Sequence, residues 1–290
     1  MPTSPECGYA RPWLVHNNSS PPTHFVFAAV GDVHGQMDAM VRLVETRAKR
    51  VSSPVSFVLQ VGDFEPHRHQ ADLTTMSAPS KYKHLGDFGA YYAGKSRFPW
   101  PIFFIGGNHE PHGFLENAPH GLELMPRCTY VGRVGLIEWN GLRIAGLSGI
   151  YKEDVFQDLR PPVSSLGSVS NKVFAYFNEK DVETALEFKT VDVLLLHEWP
   201  ADIIDPAHEA DFEGQRRSMR YDFVGNPYAR MLVDALEPQI VLCGHMHKAY
   251  RAALRHASGQ TSHVCCLASV AQGEESVALF GVENGCIREK

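Results

Sequence analysis

The chain has 290 residues, of which 44% are hydrophobic, and its 27 basic and 33 acidic side chains leave a net charge of −6. This length and composition predict one large domain with a substantial core. The acidic balance excludes a generally basic surface for nucleic acid. A phosphate substrate stays open, because bound metal ions would supply local positive charge. No apolar run is long enough to span a membrane.

Residues 1–24 are rich in Pro, Ser and Asn, which predicts a flexible N-terminal extension before a single domain at 25–290. This stretch lacks the charged start and apolar core of a signal peptide. The six cysteines show neither a CxxC motif nor a framework spacing. We expect buried, reduced thiols and a cytoplasmic location.

Apolar runs of strand length recur along the chain and predict buried strands. They are Phe25–Val30, Phe57–Val61, Pro101–Ile105, Val193–Leu196 and Ile240–Cys243. Helical spacing of apolar residues follows the first run and reappears twice. These segments are 37–48, 182–188 and 231–236.

A strong hairpin signal lies mid-chain, where Asn140-Gly141 separates two apolar stretches. Residues 64–98 are too long for a simple connection, so we expect them to contain helix and to line a substrate cleft. Residues 152–173 predict a surface loop, and 249–282 predict a closing strand meander. The order of elements favours an α/β fold in which two sheets pack face to face with helices outside.

Each apolar run leads into a short motif of potential metal ligands. The motifs are Gly31-Asp32-Val33-His34-Gly35, Gly62-Asp63, Gly107-Asn108-His109-Glu110, His197 and Gly244-His245-Met246-His247. Carboxylate, amide and imidazole groups suit divalent Mn, Fe or Zn. The ends of strands are where α/β sheets present active-site loops. This ordered set predicts a two-metal phosphoesterase, in which a metal-bridged hydroxide attacks the phosphorus.

Over residues 25–282 the motifs resemble those of the calcineurin-like metallophosphoesterase superfamily. The resemblance implies a four-layer αββα sandwich built on two mixed sheets, and two divalent ions per chain, Mn²⁺ foremost with Fe²⁺ or Zn²⁺ as alternatives. It also implies a role for each motif residue. Asp63 bridges the ions, Asp32, His34 and His247 complete one, Asn108, His197 and His245 complete the other, and His109 protonates the leaving oxygen.

Two comparisons within the superfamily narrow the prediction. Ser/Thr phosphatases continue Gly-Asp into xxDRG, whereas here Asp63 is followed by Phe64-Glu65-Pro66-His67-Arg68, which argues against a protein phosphatase. The chain resembles the catalytic domain of RNA lariat debranching enzymes more closely. The similar stretches include Tyr91-Tyr92-Ala93-Gly94, Phe104–Glu110, Gly141–Lys152, His197-Glu198-Trp199-Pro200 and Gly225-Asn226-Pro227.

The chain departs from those debranching enzymes at four features. They carry Cys at the position of Asp32, an Ala-His-Leu-His type motif at 244–247, a longer loop after Ile150, and a further C-terminal domain. We therefore expect a conventional two-metal site and a debranching-like phosphodiesterase with reduced selectivity for 2′–5′ linkages.

The substrate is expected to be a nucleic-acid or nucleotide phosphodiester. Candidate contacts are Arg68, Lys81, Tyr82 and His84, although such side chains are more often surface charges or packing. Alternatives are a cyclic-nucleotide phosphodiesterase, a small-molecule phosphomonoesterase, and a non-catalytic scaffold on the same fold. The sequence predicts neither a membrane partner nor an oligomeric state.

Overall fold

The computed structural model describes residues 22–213 and 224–290, and the strands in these ranges form two mixed sheets. The strands are β1 (His24–Val30), β2 (Val55–Gln60), β3 (Ile102–Phe104), β4 (Leu122–Met125), β5 (Cys128–Tyr130), β6 (Val134–Trp139), β7 (Leu142–Leu147), β8 (Val193–Leu196), β9 (Ile240–Cys243), β10 (Tyr250–Arg255), β11 (Thr261–Cys266), β12 (Val277–Glu283) and β13 (Cys286–Glu289).

Five α-helices lie within the described ranges. They are α1 (Met37–Arg50), α2 (Phe88–Tyr92), α3 (His112–Leu115), α4 (Glu179–Leu186) and α5 (Pro227–Leu236). Side-chain caps at the N-termini mark where three of these helices begin. Asn178 and Asp181 form a capping box at α4, and Asn226 caps α5, where Pro227 occupies the first turn. The cap of α1 is distant in sequence, since Asp87 accepts its first backbone N–H groups.

The two sheets each combine parallel and antiparallel strands. The first has the order β13-β12-β1-β2-β3-β5-β4 and the second the order β10-β11-β9-β8-β7-β6. Strands β1, β2, β3 and β5 run parallel in the first sheet, and β7, β8, β9 and β11 run parallel in the second. Parallel strands bring their carboxyl ends to one edge of a sheet, where the motif loops lie.

Apolar side chains form a core between the two sheets. Phe27 stacks on Phe57 and on Phe280, with ring centroids 5.2 Å apart in both pairs. Leu195 and Leu242 join this cluster from the second sheet. Two further clusters fill the outer faces, one beneath α1 and the other beneath α4 and α5. The predicted fold of two mixed sheets with flanking helices is confirmed.

Several local predictions are also confirmed. Asn140 and Gly141 both have left-handed backbone, with φ of 50° and 79°, and join β6 to β7 as a hairpin. Residues 64–98 contain helix α2 and two short 3₁₀-helices, Gln70–Thr75 and Ser80–Tyr82. Short 3₁₀-helices also lie in the predicted loop 152–173, at Glu153–Val155, Val163–Ser165 and Asn171–Phe174. Two more, Pro206–Phe212 and Val270–Ser276, lie later in the chain.

Two predictions are wrong. The closing strands are not a meander, because β11 pairs in parallel with β9 and β12 crosses to the other sheet beside β1. Cys286 is exposed on β13, whereas Cys128, Cys243, Cys265 and Cys266 are buried and unbridged as expected. Cys7 and nearly all of the predicted extension, residues 1–21, lie outside the described residues. No helix in the described ranges is long and apolar enough to cross a membrane.

Candidate metal centre

The predicted ligands all lie in loops that follow the carboxyl ends of β1, β2, β3, β8 and β9. Asp32 and His34 follow β1, Asp63 follows β2, and Asn108 follows β3 in the first sheet. His197 follows β8, and His245 and His247 follow β9 in the second. The face-to-face packing of the sheets brings the two sets of loops together.

One group of ligand atoms comes from Asp32, His34, Asp63 and His247. Their candidate ligand atoms all lie within 4.8 Å of one another. His247 Nε2 lies 3.0 Å from Asp32 Oδ2 and 3.0 Å from His34 Nε2. We call this group the first site.

A second group surrounds the other side of Asp63 and consists of Asn108, His197 and His245. His197 Nε2 lies 3.1 Å from Asn108 Oδ1, and its ring centroid lies 4.9 Å from that of His245. His197 Nδ1 is bound to the Val61 carbonyl oxygen at 2.8 Å, which leaves Nε2 to face the group. We call this group, together with Asp63, the second site.

The electrostatics of both sites suit cations. Asp32 and Asp63 are fully buried carboxylates. Burial raises the pKa of Asp63, but the nearby imidazoles of His197, His109 and His34 outweigh it and hold the pKa below its usual range. Burial lowers the pKa of His34, yet its contact with Glu65 and the charges of Asp63 and Asp32 raise it to about 10. Anionic oxygens beside imidazole nitrogens are a donor set for Mn, Fe or Zn.

Two further observations fit bound metal. Burial lowers the pKa of His245 to about 3, and its Nε2 is buried without a hydrogen-bond partner among the described residues. A buried polar atom without a partner is costly unless a bound ligand satisfies it. His34, Asp63, His245 and His247 also have left-handed backbone, with φ of 47°, 50°, 67° and 51°. Such strain outside glycine concentrates at functional sites.

His109 lies beside the two sites but is a member of neither cluster. Its backbone N–H donates to Asp63 Oδ1 at 2.7 Å. Its ring meets the His34 ring edge-on, with centroids 5.6 Å apart. The imidazole is therefore next to both the first site and the shared carboxylate.

The four candidate substrate contacts differ in their surroundings. Lys81 Nζ lies 4.6 Å from the centre of the exposed Tyr82 ring, and His84 Nε2 contacts the Lys81 carbonyl oxygen at 3.0 Å. Arg68 is engaged within the protein, since it binds both oxygens of Asp72 and lies 3.6 Å over the Phe114 ring. The geometry leaves Lys81 and Tyr82 more available to a ligand than Arg68.

Three buried carboxylates around the ligands were missed by sequence reasoning. Glu65 Oε1 contacts His34 Nδ1 at 2.7 Å. Glu110 accepts backbone N–H groups from Phe64, Glu65 and Gly107, each at 3.0 Å. Glu198 lies with Oε1 3.8 Å from His245 Nε2. Each of them is adjacent to, or two residues from, a motif ligand, but no spacing rule marks such supporting residues.

Comparison with known proteins identifies the family of the chain. A family model described as Calcineurin-like phosphoesterase matches residues 25–249. The lariat debranching enzyme of Homo sapiens is 30% identical over 245 residues, covering 81% of this chain and 45% of the human protein. That of Entamoeba histolytica is 31% identical over 250 residues, covering 84% of this chain and 68% of the amoebal protein. The chain thus spans less than half of the length of the human relative.

A solved crystal structure also matches the fold, with a TM-score of 0.53 and 13% identity, covering 92% of this chain and 98% of that one. The family match spans most of the chain and ends just beyond His247, so it contains every predicted ligand. The predicted class, a metal-dependent phosphoesterase, is confirmed by this match and by the curated relatives. The chain belongs to the calcineurin-like phosphoesterase family.

Proposed function

We propose that the chain is a binuclear metal-dependent phosphodiesterase that hydrolyses nucleic-acid or nucleotide diesters. The observation that carries the proposal is the position of Asp63 between the two sites. Its Oδ2 lies 3.9 Å from His34 Nε2, and its Oδ1 lies 3.5 Å from His197 Nε2. A carboxylate that turns one oxygen toward each site can bridge two cations.

Asp32, His34 and His247 would hold one divalent ion with Asp63, and Asn108, His197 and His245 would hold the other. This mixture of oxygen and nitrogen donors suits Mn²⁺, Fe²⁺ or Zn²⁺ better than Ca²⁺, which prefers more oxygen ligands at longer distances. When bound, such a pair supplies a water activated near neutral pH and positive charge for the phosphoryl oxygens. Elemental analysis of fully active protein should give two ions per chain, and a single ion would contradict this assignment.

His109 would act as the general acid of the reaction. Its backbone is anchored to Asp63, and its ring adjoins the first site. From this position the imidazole can deliver a proton to the leaving oxygen, which an alkoxide leaving group needs in order to depart. Asp63 supports this step as well, because it accepts the backbone N–H of His109 and so holds that residue in place.

A diester substrate is favoured by the relatives and by one surface beside the first site. Both curated relatives compared above are named lariat debranching enzymes. The segment 80–87 packs against the His34 loop, since the Asp87 N–H donates to the Gly35 carbonyl oxygen at 2.9 Å. We propose that Lys81, Tyr82 and His84 on this segment line the approach of an oligonucleotide. Arg68 is held by Asp72 and Phe114 and has no part in this approach.

One panel of substrates tests the proposal. Purified protein with Mn²⁺ is assayed on branched 2′–5′ RNA, linear RNA, cyclic nucleotides, and aryl phosphate monoesters and diesters, with Asp63→Asn as the inactive control. Diesters should be hydrolysed faster than monoesters. Faster hydrolysis of monoesters would favour a small-molecule phosphatase. Two bound ions without hydrolysis of any substrate would favour a scaffold.

We also propose a cytoplasmic location. It is supported by the cysteines in the described ranges, all of which are free, four of them buried. Imaging of the tagged protein tests this, and accumulation in an oxidising compartment would contradict it.

A further inference from the structure

The segment Glu65-Pro66-His67 follows the bridging Asp63 and has no role in the proposed chemistry. Glu65 is only 3% exposed and is not one of the clustered ligands. A buried carboxylate is costly unless hydrogen bonds satisfy it. Its Oε1 meets His34 Nδ1 at 2.7 Å, the distance of a strong charge-assisted hydrogen bond. Glu65 therefore contacts a ligand and lies outside the ligand shell.

This contact determines which nitrogen of His34 is available. A carboxylate only accepts hydrogen bonds, so the imidazole must carry its hydrogen on Nδ1. Nε2, which lies 3.0 Å from His247 Nε2 in the first site, is then the nitrogen that a metal would bind, with release of the Nε2 proton. An anionic partner also makes the opposite nitrogen a better donor to a metal.

The backbone holds Glu65 in this position. Its φ is 56°, a left-handed conformation that is unfavourable for a residue with a Cβ. The Glu65 N–H donates to Glu110 Oε2 at 3.0 Å, which fixes the strained turn. Behind the carboxylate lies the fully buried His67, with Nε2 3.6 Å from Glu65 Oε2. Neither ring nitrogen of His67 has a hydrogen-bond partner within the described part of the chain.

In the second site, the corresponding nitrogen is Nδ1 of His197, and it has a different kind of partner. His197 Nδ1 meets the neutral carbonyl oxygen of Val61 at 2.8 Å instead of a carboxylate. A carbonyl fixes the tautomer but adds no negative charge. The outer partners of His34 and His197 therefore differ in charge. The carboxylate of Glu198 lies near the second site, 3.8 Å from His245.

We propose that Glu65 is a positioning residue that holds His34 for the first site and raises the affinity of that site alone. The inference rests on the proposed metal centre. It assigns Glu65 no contact with substrate or with the reacting atoms. Its effect is transmitted through His34.

Titration with Mn²⁺ tests this directly, with free Mn²⁺ counted by electron paramagnetic resonance. In Glu65→Gln one ion should bind about 10- to 100-fold more weakly, the usual effect of removing such an outer partner. The other ion should bind as in wild type. Glu65→Ala should lose more than Glu65→Gln, because the amide oxygen can still accept the Nδ1 hydrogen.

A double-mutant cycle assigns the affected site. His247→Ala removes a ligand of the first site, so the ion that remains occupies the second. Adding Glu65→Gln to His247→Ala should leave the affinity of that ion unchanged. Circular dichroism shows whether each variant is folded. If Glu65→Ala does not fold, Glu65→Gln carries the test, because it keeps the volume of the native side chain.

Two results would overturn the inference: wild-type affinity for both ions in Glu65→Gln, or an equal loss at both sites. The second result would mean that Glu65 only supports the loop. Failure of the proposed metal centre gives a different result, because wild-type protein would then not bind two Mn²⁺ ions. Failure of the proposed activity alone shows in the substrate panel and leaves the Mn²⁺ titrations of wild type and variants as described.

Discussion

The backbone N–H of His109 donates to Asp63 Oδ1 at 2.7 Å, so the proposed general acid is tied to the proposed bridging ligand through the main chain. The contact does not involve the His109 imidazole. Removing that ring should therefore leave Asp63 in place, whereas changing Asp63 should disturb both the metals and His109. The two roles can be separated by mutation.

His109→Ala should retain both metal ions and lose about 10²–10⁴-fold in kcat on a diester with a poor leaving group. The loss should shrink with a nitrophenyl leaving group, which departs without protonation. Kinetics on the two substrates, with metal content measured on the same samples, checks this. Asp63→Asn is the matched control and should lose metal as well as activity. An empty metal position in His109→Ala would show that the imidazole is a ligand.

The two adjacent glycines before Asn108, Gly106 and Gly107, should differ in their response to replacement by alanine. A Cβ at Gly107 would collide with Asp63 Oδ1 and with the imidazole of His197. A Cβ at Gly106 would meet its nearest atoms, in Glu110 and Ser148, at an ordinary 3.6 Å.

Gly107→Ala should therefore displace Asp63 and lower kcat/KM about fivefold or more, as the lower end of an overpacking cost of about 1–3 kcal/mol implies. Gly106→Ala should stay close to wild type. Mn²⁺ affinity and kcat/KM of both variants test this. Equal effects at the two positions would contradict the inferred geometry.

The clustering of the proposed ligands could be predicted from sequence because each follows an apolar run of strand length. Such runs end at the sheet edge, so Asp32 and Asp63 lie near one another because β1 and β2 are parallel neighbours. The packing of the two sheets brings His197, which follows β8, to the same place. The carboxylates behind the ligands could not be predicted in this way. Glu65 reaches His34 only because residue 65 adopts a left-handed turn, and neither local propensity nor period encodes that contact.

The pairing of strands could not be predicted from the sequence pattern either. The apolar pattern of 261–267 predicts a strand but not its partner, and β11 pairs with β9 in parallel where a meander would place it between β10 and β12. Strands β4, β5 and β13 were missed because they are short and contain polar residues, whereas the equally short β3, β8 and β9 are continuous apolar runs. The exposed Cys286 belongs to one of these short strands.

The exposed Lys81 and Tyr82 provide a test of substrate size. Tyr82 is 53% exposed, with Lys81 Nζ 4.6 Å from its ring centre, and the exposed part of the ring can stack on a base, a contact worth about 1–3 kcal/mol. Tyr82→Ala should raise KM for an oligonucleotide by about fivefold or more, as the lower end of that range implies. Lys81→Ala should also raise this KM, because it removes a positive charge from the proposed path of the phosphates. KM for a small aryl diester should hardly change, because remote contacts matter only when the substrate reaches them.

Lys189→Ala is the control for loss of a positive charge. Lys189 is exposed and precedes β8, at the opposite end of that strand from His197. It should leave both KM values unchanged. If Lys81→Ala and Lys189→Ala had the same effect on the oligonucleotide, the segment 80–87 would have no specific role in binding.

The last prediction concerns acid stability and the buried His112. Burial, with a smaller effect of the Arg133 charge, lowers the pKa of His112 from 6.5 to about 3. The folded protein keeps His112 neutral at pH 5, whereas the unfolded chain binds a proton below pH 6.5. Acidification therefore favours unfolding, and the stabilisation that is complete above pH 6.5 is lost as the pH falls toward 3.

Between pH 8 and pH 5 this single histidine should remove about 2 kcal/mol from the free energy of unfolding. His112→Phe fills the same buried space beside Phe174 and cannot titrate. Its unfolding free energy should fall less over this range, by about that amount, in denaturant titrations with saturating Mn²⁺. His120→Asn, at an exposed position, should keep the wild-type dependence. Identical pH dependence in wild type and His112→Phe would mean that His112 is not held neutral in the folded protein.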